Sequence, residues 1–141
     1  MKNRIMIIFG LVVFFFANYP LNLAAGESIH PIKIKSYRGI SYMSGGIGLD
    51  EREFLMKTAR TYRLKLMFAV KGGSYLADVK VNIKDSSGKT IFKAVSEGPW
   101  FYADLQPGKY IISVTAMSNT LQKKAQIKHE NQIELRFFWQ E

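Results

Sequence analysis

The side chains able to do chemistry are few, and their spacing argues against catalysis. General acid–base work most often uses histidine, and the sequence holds two, His30 and His129. His30 precedes Pro31 in a stretch without periodicity, and His129 stands beside Glu130 and Asn131 in a turn-like segment. Two histidines without cysteine do not make the three or four converging ligands of a zinc site. The absence of Cys also excludes thiol nucleophiles, disulfides and a Cys-linked lipid. Asp50, Glu51 and Glu53 cluster, but carboxylates at a helix start cap it and offset the positive end of its dipole. Gly45-Gly46-Ile47-Gly48 has the glycine content of a phosphate loop. It lacks a Gly-Lys-Ser/Thr ending and a preceding buried strand, and the three acids would repel an anion, so it reads as a hinge. No catalytic residue, no metal and no cofactor is assigned, and the chain is not expected to be an enzyme.

Two aromatic side chains suggest binding instead. If Phe101, Ala103 and Leu105 face a core, period-two alternation puts Trp100, Tyr102 and Asp104 on the opposite face. An exposed Trp100–Tyr102 pair would stack on a sugar ring or anchor a partner protein. The competing expectation is that the N-terminal helix or linker covers them, through Phe54, Leu55 or Tyr42. Phe138 and Trp139 raise the same question, because neighbours on a strand cannot both face one core.

The elements that must position these residues begin with an export signal. Lys2 and Arg4 form a basic start, residues 5–17 an apolar run, and Leu23-Ala24-Ala25 a cleavage site before Gly26. A helix of that run is roughly 20 Å long, short of the ~30 Å hydrocarbon core, and Asn18, Pro20 and Asn22 interrupt it. No transmembrane span is therefore expected in the mature chain, and the protein reads as exported and periplasmic, with secreted and signal-anchored forms as the alternatives. The signal holds two of the 20 Lys and Arg and none of the 11 acids, so the remainder stays basic. Its basicity is scattered along the sequence, and export argues against nucleic acid as the partner.

Residues 26–61 read as a linker followed by a short helix at about 50–60. Asp50 with Glu53 forms a capping box, Leu49 and Phe54 a hydrophobic staple, and Leu55, Ala59 and Tyr62 one buried face. From residue 62 the period changes to two. Tyr62, Leu64, Leu66, Phe68 and Val70 alternate with Arg63, Lys65, Met67 and Ala69, as do Ala77, Val79, Val81 and Ile83 with Asp78, Lys80, Asn82 and Lys84. Further runs cover about 90–95, 100–105, 109–116, 120–128 and 132–139, separated by turn residues. Seven short alternating strands imply an all-β, seven-stranded antiparallel sandwich over residues 62–141.

Leu105-x-Pro107-Gly108-x-Tyr110 followed by an alternating strand resembles the signature of carboxypeptidase regulatory-like domains, which have a transthyretin-like sandwich fold. Residues 75–81 and Asp85-Ser86-Ser87-Gly88-Lys89 resemble the same family's strand and D-x-x-G hairpin. With Glu97-Gly98-Pro99-Trp100, the chain looks like small exported single-domain proteins of Gram-negative bacteria. The resemblance covers residues 62–139. It implies that Leu105 and Tyr110 point into the core while Pro107 and Gly108 make a tight turn. One transthyretin-like branch hydrolyses a purine-pathway intermediate and is marked by a C-terminal Tyr-Arg-Gly-Ser. Here Tyr37-Arg38-Gly39 is N-terminal and followed by Ile40, and the chain ends Phe137-Phe138-Trp139-Gln140-Glu141, which opposes that activity.

The expected function is a non-catalytic binding or accessory module of the cell envelope, recognising an envelope protein or polysaccharide. The alternative is a basic protein held electrostatically to an anionic surface of lipid or glycan. A small-substrate hydrolase ranks third.

Overall fold

The computed structural model describes residues 32–141, so the expected signal segment lies outside the described residues. Nine strands and one helix follow in chain order: β1 (Lys35–Tyr37), β2 (Ile40–Gly45), α1 (Leu49–Thr58), β3 (Leu64–Val70), β4 (Lys80–Asp85), β5 (Thr90–Val95), β6 (Trp100–Ala103), β7 (Gly108–Ala116), β8 (Asn119–Ile127) and β9 (Ile133–Trp139). They form two sheets, ordered β1-β2-β6-β3-β9 and β5-β4-β7-β8, which face each other as in a sandwich. The seven runs read from sequence correspond to β3–β9. The two further strands lie in the stretch expected to be linker: β1 and β2 form a hairpin, and β2 pairs with β6 through Tyr42↔Ala103 to Gly45↔Trp100.

The alternation explains the core. Leu64, Leu66, Phe68 and Val70 of β3 meet Val81 and Ile83 of β4, Phe92 of β5, Phe101 of β6, Ile112 and Val114 of β7, and Phe137 and Trp139 of β9. Burying each of these larger side chains contributes about 1.5–3 kcal/mol. Aromatic edges meet faces around Phe92, which lies 5.8 Å from Phe101 and 5.1 Å from Tyr42, ring centre to ring centre. Tyr42, offered as a cover for the outer face, thus belongs to the core on the opposite side.

One pairing departs from the all-antiparallel expectation. β9 runs parallel to β3, from Leu64↔Ile133 to Val70↔Trp139. Alternation specifies which face a strand buries but is the same in either direction, so it carries no information on polarity. The period also answers the question of Phe138 and Trp139. Trp139 is buried, and its Nε1–H donates to the Asn119 carbonyl of β8 at 3.0 Å; Phe138 points out. Lys123 Nζ donates to the Arg136 carbonyl at 2.6 Å, so two side-chain hydrogen bonds tie the β8 and β9 edges together.

The Pro-Gly turn behaves partly as expected. Leu105 is buried, whereas Tyr110, on the same inward phase as Ile112 and Val114, is only half-buried at the end of the sandwich. Its hydroxyl donates to the Gln106 carbonyl across the Pro107-Gly108 turn at 2.6 Å. That bond pins the loop much as a tyrosine corner does in other sandwiches.

Candidate functional site

The outer face of the five-stranded sheet carries Trp100 and Tyr102, and α1 lies across half of it. Leu55 of α1, Ala59 at its C-cap and Tyr62 in the following turn pack with Met43 and Tyr102, so the expected buried set forms although the helix ends at Thr58. Tyr102 is 2% exposed. Burial, reinforced by the Glu134 charge, pushes its phenol up to about 12, so it stays neutral. An exposed Trp100–Tyr102 pair therefore does not form, and of the proposed covers only Leu55 lies in that cluster. Phe54 and Leu49 are both exposed, so the expected staple is absent.

The helix start also differs from expectation. Gly48 is the N-cap and no side chain caps it, which leaves Asp50 inside the first turn. Glu51 instead reaches back, and its Oε2 accepts from Gly46 N at 2.8 Å and Ile47 N at 3.0 Å. The amides that a phosphate would need thus already hold a carboxylate. Gly46 has φ +92°, and a Cβ there would stand 3.1 Å from Trp100 Cγ, so glycine is required by both conformation and space.

Trp100 is partly buried in a layer of cations. Lys65 Nζ stands 4.2 Å from its ring centre and the Arg52 guanidinium 5.6 Å, while Arg52 also covers Tyr75 at 4.9 Å. Arg52 Nε donates to the Gly46 carbonyl at 2.7 Å, and Lys65 pairs with Glu134 at 3.0 Å. Burial raises the Glu134 carboxyl, but the hydrogen bonds and charges of Arg136 and Lys65 together outweigh it and hold it below the ordinary range. The cations of this face are therefore already partnered by a carboxylate, a carbonyl or aromatic rings.

Among the described residues, the lysines on the other sheet's outer face have no such internal partners. Its outward positions follow from the register. Lys80 pairs with Val95 and Thr115, Asn82 with Lys93 and Ser113, and Lys84 with Thr90 and Ile111. Beyond them Lys124 lies opposite Ile111, Gln122 opposite Ser113, Thr120 opposite Thr115, and Gln126 opposite Lys109. Five lysines (80, 84, 93, 109 and 124) share this face, and no Asp or Glu occupies an outward strand position on it. Asp85 has the opposite phase and closes its own hairpin, with Oδ1 accepting from Ser87 and Lys89 amides at 2.9 and 3.0 Å. Those hydrogen bonds, led by the Ser87 hydroxyl, lower its pKa.

Strand geometry gives the dimensions of this field. Adjacent strands stand about 4.8 Å apart and alternate residues roughly 6.7 Å apart, so the four strands present a surface about 14 Å across. Asn82, Ser113 and Thr115 on the two central strands and Thr120 and Gln122 on the β8 edge add hydrogen-bonding groups. Alternation along the sequence puts Lys80 and Lys84 outward, but 4 to 16 positions separate successive members of the set, so only strand pairing assembles them.

The remaining candidates stand apart. His129 is exposed in the loop before β9, and among the described residues no three His, Cys, Asp or Glu side chains are grouped to hold a metal ion. No helix among those residues is long and apolar enough to cross a membrane. No protein-family model matches the chain, and no curated protein matches it.

Proposed function

We propose that the protein is a non-catalytic binding module of the bacterial cell envelope that holds a polyanion on the outer face of its four-stranded sheet. The observation that carries this reading is the set of five lysines with no carboxylate among them. Two unit charges about 10 Å apart repel by roughly 0.4 kcal/mol in water, and among the described residues no carboxylate on the face offsets that repulsion. An anionic partner relieves it and gains attraction from every lysine at once, an effect that salt screens over ~8 Å at physiological strength. The envelope location rests on the basic and apolar residues 2–17 and the Leu23-Ala24-Ala25 site. The transthyretin-like, carboxypeptidase regulatory-like assignment rests on Leu105-x-Pro107-Gly108-x-Tyr110. The buried Leu105 and the Tyr110–Gln106 bond across the turn support it.

Binding of the full chain to dextran sulfate, with neutral dextran as control, tests the reading. Retention should weaken with salt, and each of Lys93→Gln and Lys124→Gln should lower the slope of log K against log salt by roughly one. Lys57→Gln on α1 should leave that slope unchanged. Equal retention on neutral dextran, or a slope indifferent to Lys93 and Lys124, would overturn it.

A further inference from the structure

The arrangement of neutral groups among the lysines says what kind of polyanion fits. Across the sheet, Lys93, Asn82, Ser113 and Gln122 form one row. Val95, Lys80, Thr115 and Thr120 form the row on one side of it, and Lys84, Ile111 and Lys124 the row on the other. Lys109 with Gln126 stands beyond. The lysines thus flank Asn82 and Ser113, and the neutral field continues through Thr115, Thr120 and Gln122 to the β8 edge. The Thr115 and Thr120 hydroxyls already bond each other at 2.7 Å, and Asn82 Oδ1 is shielded from solvent, which leaves Ser113 and Gln122 as the groups of the central row able to meet a ligand.

We propose that the ligand of this face is an acidic polysaccharide, a chain carrying both anionic groups and sugar hydroxyls. The proposal rests on the polyanion reading above and narrows it. The lysines meet the anionic groups, and Ser113 and Gln122 exchange hydrogen bonds with the neighbouring sugar hydroxyls. A lipid bilayer matches the charges but makes no use of the central amides and hydroxyls. Bilayer binding also gains from apolar side chains that enter the acyl boundary. Among the described residues Val95 is the only large apolar side chain well exposed on this face.

Polygalacturonate, inorganic polyphosphate and phosphatidylglycerol vesicles separate the possibilities when titrated against the full chain. Polygalacturonate should bind, and Ser113→Ala with Gln122→Ala should weaken it by roughly tenfold, from two hydrogen bonds lost at constant charge. The same double variant should bind polyphosphate, which has no sugar hydroxyls, as the parent does. A thermal melt matching the parent's shows that the variant is folded, and Gln122→Ala alone, at an exposed position, serves if it is not. If the vesicles or polyphosphate bind as tightly as polygalacturonate and the double variant binds all three like the parent, the polysaccharide assignment fails while the polyanion reading stands. If none of the three binds, or Lys93→Gln and Lys124→Gln change nothing, the polyanion reading itself fails.

Discussion

Replacing Trp139 tests the element that departs most from the sequence expectation, the parallel edge strand β9. Its indole is 1% exposed, with Phe68 at 6.2 Å and Phe137 at 6.4 Å between ring centres. A buried aromatic of this kind removes about 150–250 Å² from water, and truncating Trp to Ala costs about 3–5 kcal/mol. Trp139→Phe keeps most of that area and loses the hydrogen bond to Asn119. Because Asn119 is exposed, water can replace the donor, and the bond is worth about 0.5–1.5 kcal/mol. Urea unfolding of the full chain, at a slope of roughly 2 kcal/mol per molar, should show midpoints lowered by about 1.5–2.5 M for Trp139→Ala and under about 1 M for Trp139→Phe. The chain has two tryptophans, so both variants leave Trp100 as the single indole reporter beside α1. A Trp139→Ala change below about 1 kcal/mol, or equal losses in the two variants, would refute the docking of β9 into this core.

Gly98→Ala should destabilise by about 1–3 kcal/mol or more in the same assay, because its Cβ would stand 2.3 Å from the Gly45 carbonyl oxygen and backbone must move; an unchanged midpoint would contradict that close approach. Tyr110→Phe removes only the bond to the Gln106 carbonyl and should cost about 0.5–1.5 kcal/mol, with Tyr110→Ala costing more but short of a fully buried ring. A null effect of Tyr110→Phe on the melt would show that the hydroxyl does not hold the turn. Tyr102 is raised from 10.0 to about 12 on folding, so its contribution is complete below pH 10 and is lost as pH rises through about 12. Tyr102→Phe should therefore flatten the fall of stability across that alkaline window, as read from melts at stepped pH, and an identical fall in both proteins would argue against the buried phenol.

Local alternation determined the buried set before any tertiary information: Leu64, Leu66, Phe68, Val81, Ile83, Ile112 and Val114 all lie inward as their phase requires. The burial of Leu55, Ala59 and Tyr62 was equally legible from helical spacing, although the helix ends at Thr58 and Tyr62 reaches the same cluster from the turn beyond it. Residues 32–45 were not legible as strands, because a short edge hairpin such as β1–β2 gains its order from pairing with β6 rather than from a pattern of its own. The direction of β9 was hidden for the same reason, as was the fate of Tyr102, which depends on where α1 comes to rest. The lysine face shows the division most clearly. Period two assigned Lys80 and Lys84 to the outside, but their grouping with Lys93, Lys109 and Lys124 exists only in the register of four strands. Side-chain direction is a property of the local backbone, whereas the company a side chain keeps is set by hydrogen bonds to strands distant in sequence, and those are fixed only when the sheet forms.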